Sequence, residues 1–128
     1  MENQDLENAS INQALLNIHE QKLNKIQERI TELLALEIKN LIIKINYLIT
    51  SGDIDEGIAL ALAANKNEYI IINERYNKNI DYDLILYDLI KQLKYLYEPT
   101  YKVQTMVVGN VNNYYRIVIV FNSSCTIL

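Results

Sequence analysis

Apolar residues recur at Leu16, Leu23, Ile26, Ile30, Leu34, Ile38, Leu41, Ile45 and Leu48, in steps of three and four once the polar His19 is counted into the row. Such steps hold one stripe on one side of a helix. No glycine or proline interrupts residues 1–51. The pattern therefore predicts one amphipathic helix from about Ser10 to about Thr50, with residues 1–9 fraying ahead of it. A helix of about 40 residues is about 60 Å long. In so short a chain its stripe is expected to be buried against a second copy or a partner, and the ten positions from Leu16 to Leu48 form the predicted oligomer seam. The steps are those of a heptad with one extra four, a stutter, around Ile30 to Ile38, which relaxes left-handed supercoiling there. The polar side mixes Glu20, Glu28 and Glu32 with Lys22, Lys25 and Arg29, so it lacks the cationic excess of a helix lying on a lipid surface.

Ser51-Gly52-Asp53 ends this helix, with Gly52 suited to a left-handed turn and Asp53 with Glu56 forming a capping box for a second helix over Ile54 to Ala64. Its small face, with Ala59 and Ala63, predicts close packing on the first helix as an αα-hairpin. The acids of this turn do not make a calcium loop, because the sixth and twelfth positions counted from Asp53 lack the required glycine and glutamate. Glu68 to Asn73 reads as a strand, and Asp81 caps a predicted helix over Tyr82 to Tyr97 that Pro99 ends. Tyr101 to Val108 and Tyr114 to Asn122 read as two strands of a hairpin.

Arg116 to Phe121 carries no charge after Arg116 and does not alternate. Exposed, it would invite aggregation, so it is expected to be the central strand. Its covers are expected to be the Tyr82 to Tyr97 helix on one face and the hairpin helices or a second subunit on the other.

Alanine is confined to positions up to Ala64 and valine to positions from Val103 onward. That division separates a helical first half from a sheet-bearing second half. The predicted class is α+β: a long helix with a short one, then a small β-α-β-β unit. Two segments are expected, an oligomerisation segment over 1–50 and a head over 51–128.

A formal charge of −4 on 128 residues argues against a surface that binds nucleic acid throughout. The charge is uneven, however: after residue 100 the only charged side chains are Lys102 and Arg116. With Tyr101, Tyr114 and Tyr115 they mark a candidate surface for a partner or for nucleic acid. Ten tyrosines stand against one phenylalanine, a preference that suits amphipathic interface positions. Richness in Asn, Ile, Lys and Tyr fits an AT-rich coding sequence, such as that of a virus, a phage or a low-GC bacterium.

Catalytic constellations are scarce. His19 is the only histidine, it sits in the seam, and three glycines do not build a phosphate loop. No enzyme activity, metal or cofactor is expected. Cys125 has no intramolecular disulfide partner and no basic-then-apolar leader opens the sequence, so an intracellular, cytoplasmic location is expected. Cys125 also opens a C-terminal C-a-a-X tetrapeptide, a weak signal for lipidation that has no polybasic companion. Asn8-Ala9-Ser10 and Asn122-Ser123-Ser124 match glycosylation sequons that are expected to stay unmodified inside a cell. No stretch is long and apolar enough to span a membrane. The expected partners are the chain itself and another protein, and nucleic acid is the alternative.

Overall fold

The computed structural model describes the backbone of residues 2–121 and the side chains of residues 9–121. The elements are α1 (Glu2–Ser51), α2 (Asp53–Ala63), β1 (Glu68–Arg75), α3 (Tyr82–Ile85), α4 (Tyr87–Tyr97), β2 (Lys102–Val108) and β3 (Tyr114–Val120). The class is the predicted α+β. Asn122, the Asn122-Ser123-Ser124 sequon and the Cys125 tetrapeptide lie outside the described residues.

α1 starts at Glu2 rather than near Ser10. Nothing in its first turns breaks a helix, since Gly and Pro are absent, and the helical backbone includes Glu2 to Ala9. The chain divides into two compact units between Glu37 and Ile38, inside this helix. The first unit is helix alone. The second contains the last turns of α1 and all the remaining elements.

Gly52 takes the left-handed conformation read from the sequence, φ 83°. The capping box is not made: Asp53 is already the first residue of α2, and its N–H donates to Ser51 Oγ at 3.2 Å. Asp53, Asp55 and Glu56 instead place three acids in the first turn, where the helix dipole favours them. At the other end Asn65, φ 57°, closes α2 by a Schellman turn, with the N–H of Lys66 donating to the Ala61 carbonyl at 2.9 Å. Asp81 caps α3 as predicted, accepting from the Leu84 N–H at 3.3 Å. The helix expected over Tyr82 to Tyr97 is broken at Leu86, which has φ −97° and ψ 6° and is fully buried in the core.

The three strands form one antiparallel sheet in the order β1-β3-β2, so β3 is the central strand. Residues opposite one another share a face. Tyr69, Ile72, Ile119, Ile117, Tyr115 and Val103 thus lie on one face, and Ile70, Asn73, Val118, Arg116, Gln104 and Met106 on the other. A bulge between Ile70 and Ile72 inserts Ile71, leaving Ile71 and Ile72 both buried.

The helices gather on the first face. Gly57 of α2 abuts the Tyr69 ring, so closely that a Cβ there would stand 2.2 Å from Tyr69 Cζ. Tyr82 of α3 stacks on Tyr115 with centroids 4.3 Å apart. Lys44 of α1 pairs with Glu74, which belongs to the same face by register. Tyr97 Oη of α4 donates to Asp55 Oδ1 of α2 at 2.8 Å and ties these two covers together. The expectation that α2 and α4 would cover opposite faces is therefore corrected: α2 turns Gly57 to the sheet, with Ile54, Ile58 and Ala61 buried, on the face that α3 and α4 also occupy, while Ala59 and Ala63 of the expected small face are exposed. Ile45, Ile54, Leu86, Leu93, Ile117 and Ile119 are fully buried on this side of the sheet, and Val118, at the middle of the other face by register, is fully buried as well.

Candidate interaction surfaces

The predicted seam divides at the stutter. Leu16, Leu23, Ile26 and Ile30 are exposed, between 42% and 56%. Leu41 and Ile45 are buried at 7% and 0%, and Leu34, Ile38 and Leu48 are half-buried. His19 is exposed.

These two groups follow different heptad frames. The exposed row runs Leu16, His19, Leu23, Ile26, Ile30 and then Leu33, which is 48% exposed and was missed by following the row to Leu34. The other row runs Leu34, Ile38, Leu41, Ile45 and Leu48. Continued forward, the first frame meets Glu37 and Asn40; continued backward, the second meets Thr31 and Gln27. The stutter is where one apolar stripe ends and another, rotated around the helix, begins. The second stripe enters its own chain's core, so Leu41 and Ile45 are withdrawn from any surface between copies. Leu15 and Leu36, at 60% and 54% exposure, flank the first stripe and widen it.

The tyrosine-rich candidate surface also divides, for a reason rooted in strand geometry. Successive side chains of a strand point to opposite faces. Tyr114 and Arg116 accordingly lie on the face without the helix contacts, while Tyr115, only 3% exposed, lies in the core between Tyr82 and the sheet. Tyr115 is thus no surface residue. Burial, with the negative charge of Asp83 adding to it, pushes its hydroxyl pKa up to about 12. That hydroxyl is buried without a hydrogen-bond partner, although Thr105 lies near it. Tyr97 is shifted in the same direction by burial and by its bond to Asp55. Tyr101 is half-buried, its ring edge-on to Phe121 at 5.4 Å. Lys102 is exposed at one end of the open face.

β1 contributes residues to that open face that the sequence reading did not include. Asn73 lies opposite Arg116 and accepts from its Nε at 2.8 Å, and Arg75 lies opposite Tyr114. Both owe their position to the bulge at Ile71, which inverts the alternation of every residue after it. No feature of the sequence marks that bulge.

Among the described residues, no group of three His, Cys, Asp or Glu side chains is arranged to hold a metal ion. No helix among them is long and apolar enough to cross a membrane. A hollow of about 400 Å³ beside Tyr76, Tyr82 and Tyr115 is flanked by Lys78, Asp81 and Asp83. No protein-family model, no curated protein and no solved structure matches this chain.

Proposed function

We propose that this is a non-catalytic assembly protein that self-associates through the first part of α1 and offers its α+β head to another protein. The observation that carries the reading is the exposed stripe from Leu16 to Leu33, two residues per heptad over three heptads, in a unit with no sheet or second helix to cover it. A sequence under no demand to bury that stripe has no reason to keep its frame and then to change frame where the core begins. A second copy of the same helix meets a heptad seam in register, which is why the chain itself is the partner chosen. The AT-rich composition supports a small accessory or structural protein of a virus or phage, acting in the host cytoplasm.

Light scattering of the full chain across a concentration series tests this reading. An oligomer that Ile26→Asp converts to a folded monomer is the expected result. A full chain that stays monomeric at about 100 μM, well above the micromolar range of an ordinary specific contact, overturns it.

A further inference from the structure

The open face of the sheet carries a row of cations that the chain's net charge conceals. On it lie Lys102 of β2, Arg116 of β3 and Arg75 of β1, against the single acid Glu68. None of the three cations is in an ion pair among the described residues, and the partner of Arg116 is the neutral amide of Asn73. By register they run diagonally. Lys102 stands opposite Val120, Arg116 four residues further along β3, and Arg75 across from Tyr114 beyond it. Standard strand dimensions place Lys102 about 14 Å from Arg116 and Arg116 about 8 Å from Arg75, a diagonal of about 22 Å. Tyr114, half-buried, sits at the end of this diagonal between Arg75 and Val108, and the amides of Asn73 and Gln104 flank its middle.

We propose that this face binds a single-stranded nucleic acid, its phosphates following Lys102, Arg116 and Arg75 and a base stacking on Tyr114. The charge decides between occupants. A second copy laid on the same face would bring two sets of three cations together, a juxtaposition that costs rather than stabilises. An extended polyanion meets every cation in turn. Aromatic and amide groups interleaved with them suit bases, which offer a π-face and hydrogen-bonding edges, better than they suit the side chains of an acidic peptide. The diagonal accommodates about four nucleotides, the low end for a single-strand module.

The test is fluorescence anisotropy of a labelled oligonucleotide of about ten thymidines with the full-length protein, titrated between about 50 and 200 mM salt. Three phosphate contacts give a slope of log affinity against log salt of about −2. Lys102→Gln and Arg75→Gln are each expected to weaken binding about fivefold near 0.1 M salt and to flatten the slope by about 0.7. Tyr114→Ala weakens binding without changing the slope. Lys91→Gln with Lys94→Gln, on the exposed side of α4, leaves both quantities unchanged. Ile26→Asp keeps the per-chain slope, which separates this proposal from the self-association. The proposal is overturned by absent binding at the lowest salt, by equal loss in the α4 variant, or by a slope that survives loss of Lys102 and Arg75. It is also overturned if a polyglutamate peptide competes as well as unlabelled oligonucleotide, which would assign the face to an acidic protein.

Discussion

Tyr115 shows how one side chain in this core carries opposing terms. Its ring is held between Tyr82 and the sheet, and Tyr76 extends the stack with a centroid 5.5 Å from that of Tyr82. Its hydroxyl is buried with no partner. Packing stabilises the residue, whereas the stranded polar atom costs on the order of 1–3 kcal/mol. Tyr115→Phe keeps the first and removes the second, so the variant is expected to be as stable as the parent or about 1 kcal/mol more stable in urea denaturation. A loss of more than about 1 kcal/mol would show that the hydroxyl has a partner in solution. The pH dependence follows from the same burial. The folded-state pKa of Tyr115 is pushed up to about 12, above an unfolded value of 10.0, so between those values the folded state holds more protons than the unfolded one. Stability is therefore complete below about pH 10 and falls as pH rises through 12. Tyr97 acts in the same direction, and Tyr115→Phe should flatten part of the alkaline decline measured by thermal melts from pH 9 to about 12.

At the scale of elements, α1 is one helix with two apolar stripes, and substitutions along it should separate their roles. Ile45→Ala opens a cavity at a fully buried position and is expected to cost about 2–5 kcal/mol of unfolding free energy, leaving self-association intact at temperatures where the chain stays folded. Ile26→Asp, at 56% exposure, is expected to abolish association while the near-UV signal of the tyrosine stack is unchanged. If both variants lose association and fold together, the two stripes are one structure and the division at the stutter has no meaning. The elements themselves were largely legible in the sequence. Periodicity gave α1 its extent to Thr50, the charge-free run after Arg116 gave β3 its central place, and Pro99 gave α4 its end. Three features were not. The break at Leu86 comes from drawing one leucine into the core, which leaves no trace in spacing. The common face for α2 and α4 depends on Gly57 meeting Tyr69, a contact between segments whose packing no local pattern specifies. The bulge at Ile71 sits in a run of three isoleucines where every register looks equally apolar, and it alone decides that Arg75 joins Arg116 while Glu74 turns toward Lys44. Strand alternation, applied strictly, would have removed Tyr115 from the candidate surface, since it cannot share a face with both Tyr114 and Arg116.

For the molecule as a whole, the position of the division inside α1 decides which piece of the chain folds by itself. The helix runs without interruption to Ser51, yet the core draws on Leu41 and Ile45, and the compact second unit begins at Ile38. A chain starting at Ile38 keeps both side chains and the Lys44 to Glu74 pair. It lacks the exposed stripe from Leu16 to Leu33. A chain starting at Ser51 loses the buried Leu41 and Ile45 and the Lys44 to Glu74 pair. Removing two buried aliphatic side chains alone costs about 4–10 kcal/mol, comparable with the whole stability of a small domain, about 5–15 kcal/mol. The chain from Ile38 is therefore expected to be folded and monomeric, with a cooperative thermal transition followed by near-UV circular dichroism. The chain from Ser51 is expected to be unfolded or aggregated. Light scattering on the same samples distinguishes the two reasons for failure of this view. An oligomer formed by the chain from Ile38 would move the association surface into the head and away from α1. A chain from Ser51 as stable as the chain from Ile38 would instead show that Leu41 and Ile45 contribute nothing to the core, and the reading of the second stripe as a core stripe would fall.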